Sequence, residues 1–142
     1  MSEFESVEAY LPESVQDIVA VIGLAATEKF VRAFGGFSFQ FSHSAKYFDK
    51  LRDVLGQEDA VKLQQYMRVG EVYIPRCETA LRLLRNQRLY ADFCHLTETD
   101  KLSGRMAVMQ LCQKYQVCDR TVWEAVRYYQ RNQGATAQQA LF

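Results

Sequence analysis

The order helix, glycine, helix, glycine, strand occurs twice in the first 76 residues, and it limits the chain to an α-rich scaffold with a short ribbon. Leu11 to Ile22 reads as the first helix. Pro12 suits its first turn, where a missing N–H is no loss, and Glu13, Ser14 and Asp17 suit its positive end. Val15, Ile18, Val19 and Ile22 fall on one stripe at helical spacing, and Gly23 is the stop. The next helix runs from about Ala25 to Phe34, burying Phe30, Val31 and Phe34, and Gly35-Gly36 ends it. Phe37-Ser38-Phe39-Gln40-Phe41 alternates aromatic with polar residues, as a half-buried strand does.

The second round begins with a helix from about Ser44 to Leu55. Tyr47, Phe48, Leu51, Val54 and Leu55 face inward and Gly56 is the stop. A helix from about Glu58 to Arg68 follows, then Gly70, then a strand at Val72-Tyr73-Ile74 closed by Pro75. Gly23 matches Gly56, Lys29-Phe30 matches Lys62-Leu63 and Gly36 matches Gly70, a period of 33 to 34 residues. Two copies are too few for a solenoid. They allow a pseudo-two-fold unit whose strands pair as an antiparallel ribbon inside one chain. Chance likeness between two short helical hairpins is the alternative.

The chain of 142 residues, 49% apolar, makes one compact domain or two very small ones and is not disordered. No apolar run reaches the roughly 20 residues of a membrane span. The acidic start lacks the charged-then-apolar pattern of a signal peptide, so a cytoplasmic protein is expected. The 17 basic and 17 acidic side chains cancel, but unevenly. From residue 101 on, Asp119 and Glu124 face Lys101, Arg105, Lys114, Arg120, Arg127 and Arg131. This third could turn its field toward a polyanion, although six basic residues are also ordinary solvated surface.

Cys77, Cys94, Cys112 and Cys118 form no C-x-x-C hook, so no structural zinc site is expected. Reduced, partly buried thiols are the expectation. His95 beside Cys94 lacks further metal ligands at workable spacing. There is no Gly-rich phosphate loop and no nucleophile elbow. Neither an enzyme nor a cofactor is expected.

A long helix reads from about Glu78 to His95, with Ala80, Leu81, Leu84, Leu89, Tyr90 and Phe93 on its apolar side. Thr97 to Gly104 is polar and reads as a loop. From Gly134 the chain is rich in Ala, Gln and Thr and reads as a frayed tail.

The segment Met106 to Arg127 reads as helix, tight turn, helix. The first helix buries Val108, Leu111, Cys112 and Tyr115; the turn is Gln116-Val117-Cys118; the second helix buries Val122, Ala125, Val126 and Tyr129. This is the spacing of a DNA-reading helix-turn-helix. A helical hairpin that merely packs is the plainer reading. Opposite the buried stripe lie Asp119, Arg120, Trp123, Glu124 and Arg127. Arg120 suits a bidentate guanine contact and Glu124 a cytosine amino group. Thr121, Arg127 and Arg131 suit phosphates. Trp123, the single tryptophan, is expected on the polar face as a recognition surface. Gln116 must take a left-handed conformation, and Cys118 stands where Ser or Thr would cap the second helix.

The run Gly70-Glu-Val-Tyr-Ile-Pro-Arg76, then Leu81 to Phe93, then the helix-turn-helix, resembles the Mor/C family, the middle and late transcription activators of Mu-like phages. Leu11-Pro12, Ile22-Gly23 and Phe34-Gly35-Gly36 are similar to the family's amino-terminal helices. The resemblance implies a homodimer whose strand ribbon lies over the minor groove, with each recognition helix in a flanking major groove. It implies that Tyr73 and the backbone near Gly70 approach DNA at the ribbon, and that bacterial RNA polymerase is a partner. Glu71 departs from a phosphate-facing ribbon, Arg76 offsets it, and the Cys94 to Arg105 connection is longer than expected. A ribbon closed within one chain would instead give a monomer with one reading head.

The expected organisation is a helical dimerisation-type region over 1–76, a DNA-binding region over 77–133 and a flexible tail over 134–142. The expected site is Gly70, Tyr73, Cys118, Asp119, Arg120, Thr121, Trp123, Glu124, Arg127 and Arg131, on double-stranded DNA. The competing function is a protein–protein module or inhibitor on the same scaffold that binds no DNA.

Overall fold

The computed structural model describes residues 7–41, 45–68 and 70–141, with side chains up to residue 132. The acidic start and the expected helix start at Ser44 lie outside the described residues. The elements in order are α1 (Glu13–Ile22), α2 (Leu24–Phe34), β1 (Phe37–Gln40), α3 (Ala45–Leu55), α4 (Gln57–Met67), β2 (Glu71–Ile74), α5 (Glu78–Cys94), α6 (Gly104–Tyr115) and α7 (Asp119–Leu141). The fold is mainly helical with one two-stranded antiparallel sheet. It falls into two compact units, Met1–Leu81 and Arg82–Phe142.

In the first unit the ribbon closes within the chain. Phe37 pairs with Ile74, Ser38 with Tyr73, Phe39 with Val72 and Gln40 with Glu71. Because side chains alternate along a strand, this register puts Phe39, Val72 and Ile74 on one face and Ser38, Gln40, Glu71 and Tyr73 on the other. Phe39 and Ile74 are buried and Tyr73 is 59% exposed. Beneath the buried face, the rings of Phe30 and Phe39 lie 5.8 Å apart and those of Phe39 and Phe41 4.7 Å apart. Phe30, Ile18, Leu51, Leu63, Val7 and Val15 are also fully buried.

The two copies are related by an offset of 33. Gly23 has φ 87 and ψ 165 and Gly56 has φ 87 and ψ 166. The Gly23 amide donates to the Val19 carbonyl and the Gly56 amide to the Arg52 carbonyl, both at 2.8 Å. Ile18 and Leu51, Thr27 and Ala60, Phe30 and Leu63, and Phe41 and Ile74 are equivalent buried pairs at this spacing. The strands agree with this number: an offset of 33 sets the buried Phe39 on its partner Val72, on the same face, whereas 34 would set it on the exposed Tyr73. The match of Gly36 with Gly70, one residue longer, is therefore not structural. Helix packing follows the symmetry, α1 on α4 and α3 on α2.

Gly35 and Gly36 have a separate reason. An added Cβ on Gly36 would sit 2.7 Å from Arg76 Nε, and one on Gly35 3.1 Å from the Arg76 Cα. Several expected inward residues prove half-buried: in α3 only Leu51 is fully enclosed, and Phe37 is 49% exposed.

After α5 the expected polar loop is in part helical. His95–Thr99 forms a π turn, with the Asp100 amide donating to the His95 carbonyl at 3.2 Å. Thr97 Oγ1 donates to the Phe93 carbonyl at 2.9 Å, so the polar side chains continue the helix end rather than leave it. The backbone from Gly134 to Leu141 is helical where composition had suggested a frayed tail; Ala and Gln are good helix formers.

Gly23 and Gly56 occupy a backbone region essentially restricted to glycine, and an added Cβ would meet nothing within 4 Å at either. Gly23→Ala and Gly56→Ala should therefore each lose about 1–3 kcal/mol, by similar amounts, through backbone strain alone. Gly70→Ala, whose Cβ would lie 3.9 Å from its nearest neighbour, should change denaturant stability by less than about 0.5 kcal/mol.

Candidate nucleic-acid interface

The second unit builds one surface from α6, a tight turn and α7. Ser103 opens α6 as its cap, its hydroxyl accepting from the Met106 amide at 3.2 Å. Gln116 closes α6 in the left-handed region, φ 55 and ψ 50, as the spacing required. Its side-chain amide donates to the Gln113 carbonyl at 2.7 Å, which helps a residue other than glycine hold that conformation. The Val117 amide then bonds the Cys112 carbonyl at 3.2 Å.

Cys118 sits at the head of α7. Its sulfur lies 3.3 Å from Thr121 Oγ1. Hydrogen bonds from the Thr121 side chain and then the Thr121 amide hold the thiol below its ordinary pKa. The thiol thus fills the capping place of the expected Ser or Thr.

The two helices stand on the second half of α5. Leu89 and Phe93 join Ala107, Val108, Leu111, Val122, Ala125 and Val126 in one core. Cys112 and Tyr115, expected inside, are half-buried at its edge, and Tyr129 stacks on Tyr90 at 5.3 Å between centroids. Burial, then a hydrogen bond with Cys94, raise the Tyr90 phenol to about 12.

Asp92 fastens α6 to α5. Lys114 Nζ and Tyr115 Oη each approach its Oδ2 at 2.6 Å. Burial opposes the charged carboxylate, but the hydrogen bonds from Lys114 and Tyr115 outweigh it and hold its pKa below the ordinary value. Burial and the same hydrogen bond push the Tyr115 phenol upward. Asp92 escaped the sequence reading because its partners lie 22 and 23 residues away.

The free face of α7 carries Asp119, Arg120, Glu124, Arg127 and Arg131, all exposed. Arg120 Nε donates to Glu124 Oε1 at 3.0 Å, which leaves the terminal guanidinium nitrogens available. Such an exposed pair is worth only about 0.3–0.5 kcal/mol and opens easily. Arg131 Nε makes a long contact, 3.5 Å, to the Arg127 carbonyl. Thr121 is half-buried through its place beside Cys118.

Trp123 departs from expectation. Its ring is half-buried, edge-on to Phe93 at 6.1 Å, with the Arg127 guanidinium 5.8 Å from its centroid. A Cβ on Gly104 would sit 3.3 Å from its ring tip. The indole therefore braces α7 against the start of α6 and stays partly open to solvent. Beside it, a groove of about 760 Å³ runs along Arg105, Met106, Met109, Cys112 and Asp119. Met106 and Met109 are 45% and 49% exposed. The sequence reading missed Ser103, Gly104 and this groove because it placed residues 97–104 in a loop. The signal for the cap was Ser103 itself, three residues before Met106.

Gly70 and Tyr73, the remaining expected site residues, lie in the first unit at the ribbon. There Tyr73 shares the exposed face with Ser38 and Glu71. Among the described residues no group of His, Cys, Asp and Glu could hold a metal ion, and no helix is long and apolar enough to cross a membrane.

A family model of Mor transcription activators matches residues 42–141, from just before α3 to the end of α7. The chain belongs to the Mor transcription activator family. Neither the curated proteins nor the solved structures yield a match. The family is one of transcription regulators, not of enzymes. The matched residues take in the second helix–helix–strand copy, α5 and the α6–α7 surface; the first copy lies outside them.

The Asp92 brace makes a pH-dependent contribution with a definite sign. A carboxyl whose pKa is lowered on folding stabilises above its unfolded value, about 3.9, and the gain is lost as pH falls through the lower folded value. Asp92→Asn should cost about 1 kcal/mol at pH 7, reduced from the buried case by solvent screening. The difference in melting temperature between parent and variant should shrink as the pH drops below about 4.

Proposed function

We propose that this Mor-family protein is a sequence-specific DNA-binding transcription activator that reads the major groove with the first turns of α7. The observation that carries the reading is the exposed stripe Arg120, Glu124, Arg127 and Arg131 at helical spacing. It lies opposite the buried Val122, Ala125 and Val126, on a helix set by a left-handed turn. The α6–turn–α7 unit acts as a helix-turn-helix. Arg120 turns its terminal nitrogens to guanine while Glu124 releases Nε and accepts from a cytosine amino group. Arg127 and Arg131 take phosphates, and Cys118, Asp119 and Thr121 lie at the groove-facing end of the helix. Trp123 holds the helix angle and offers one edge to a sugar or a thymine methyl.

At the ribbon, Tyr73 and the backbone at Gly70 approach the nucleic acid, with Arg76 offsetting Glu71. Bacterial RNA polymerase is the partner that activation calls for, and the setting is the cytoplasm of a cell carrying a prophage. A second reading is favoured by the groove along Met106, Met109 and Trp123, an apolar strip of the kind proteins dock on. In that case the scaffold binds a protein and not DNA.

Selection from random genomic fragments at two salt concentrations separates the two. Fragments sharing a motif, bound in a salt-sensitive way and lost with an Arg120/Arg127/Arg131 triple-alanine variant, are expected. Arg120→Ala alone should cost about 1–3 kcal/mol at the selected site and relax the preference at one position. Equal weakening on all sequences would make Arg120 a phosphate contact. Absence of binding at low salt would leave the protein-docking reading.

A further inference from the structure

We propose that the first helix–helix–strand copy is a built-in partner for the second, so that the protein works as a monomer with a single recognition helix and reads one site without two-fold symmetry. The part about DNA rests on the function proposed above; the part about assembly does not.

The second copy by itself is incomplete. The four-residue strand Glu71–Ile74 has no mate within its own copy, and an unpaired edge strand recruits another chain. Its helices leave Leu51 and Leu63, and its strand Ile74, to be covered. In this protein the first copy does both. Phe37 to Gln40 pairs the strand, and α1 and α2 pack on α4 and α3. The residues matched by the Mor model begin at 42, so the covering copy lies outside the matched part.

The two copies have also become complementary rather than alike. At the offset of 33 the first supplies Phe30, Phe39 and Phe41 where the second supplies Leu63, Val72 and Ile74. At these three positions aromatic side chains of the first copy thus meet aliphatic ones of the second, while Tyr47 of the second packs on Phe37 and Phe39. Two second copies facing each other would fill less volume at these three positions, and two first copies would fill more. A second copy of this chain therefore offers the exposed strand nothing better than what it already has. The surfaces have diverged as well: α3 carries Lys46 and Lys50 where α1 carries Glu13 and Asp17. One chain then brings one α7, in place of the paired recognition helices of a homodimer.

Sedimentation equilibrium of the full chain at micromolar to tens of micromolar concentration should give 16.4 kDa. Twice that mass would overturn the proposal. A Ser38→Cys/Tyr73→Cys double variant adds the topological test. The two residues face each other across the ribbon, within disulfide reach for an antiparallel pair. Oxidation followed by peptide mapping should recover the 38–73 link within one chain. A link joining two chains, as in an exchange of ribbons, would overturn it.

On DNA, the selected motif should lack inverted repeats and titrate at one chain per site. A palindromic motif filled by two chains at half-sites one helical turn apart would overturn the single-head reading. A 16.4 kDa monomer that binds no DNA would sink the proposed function and leave the built-in partner standing.

Discussion

The pairing of Phe39 with Val72 is the constraint on which the first unit depends. A slip of β1 by one residue would turn Phe39 to solvent and bring Ser38 and Gln40 onto the phenylalanine cluster. Each four-residue strand is too short to be stable alone, and a two-stranded ribbon is marginal without a packed face. The ribbon therefore holds only because α1 to α4 close beneath it, and those helices close only because both strands present their apolar residues on the same side.

That mutual dependence makes the matched glycines more than punctuation. Gly23 and Gly56 turn the chain through the same rare backbone geometry, so both hairpins leave their corners at one angle. With equal corners the two copies meet about a pseudo-two-fold axis through the Phe39–Val72 pair. The sequence difference between the copies lies inside this common backbone, with Phe30, Phe39 and Phe41 set against Leu63, Val72 and Ile74.

In the second unit the organising contact is different in kind. A shared core under α5, α6 and α7 sets the helices, and a single carboxylate at Asp92 ties two neighbouring residues of α6, Lys114 and Tyr115, to α5. Trp123 fills the wedge where α7 begins, against Phe93 and Gly104. The exposed arginines of α7 make almost no demands on this framework. Their side chains pair weakly along one helix, which leaves them free to exchange those pairs for a ligand.

Much of this was legible in the sequence. Helical spacing placed Val122, Ala125 and Val126 inside and Arg120, Glu124 and Arg127 outside, because a helix repeats every 3.6 residues whatever it packs on. Gln116 had to be left-handed because the turn is too tight for any other conformation. The repeat announced itself through glycine and strand alternation, and the run from Gly70 through α7 pointed to the family. The tertiary structure decided what depends on distant partners. It set the repeat at 33, since only strand pairing fixes which residues share a face. It drew Trp123 half inside, since Phe93 lies 30 residues earlier in the chain. It kept residues 95–99 helical through Thr97 against α5's own end. Above all, it joined the two strands within one molecule, because local pattern specifies that a strand needs a mate and only packing determines which one it takes.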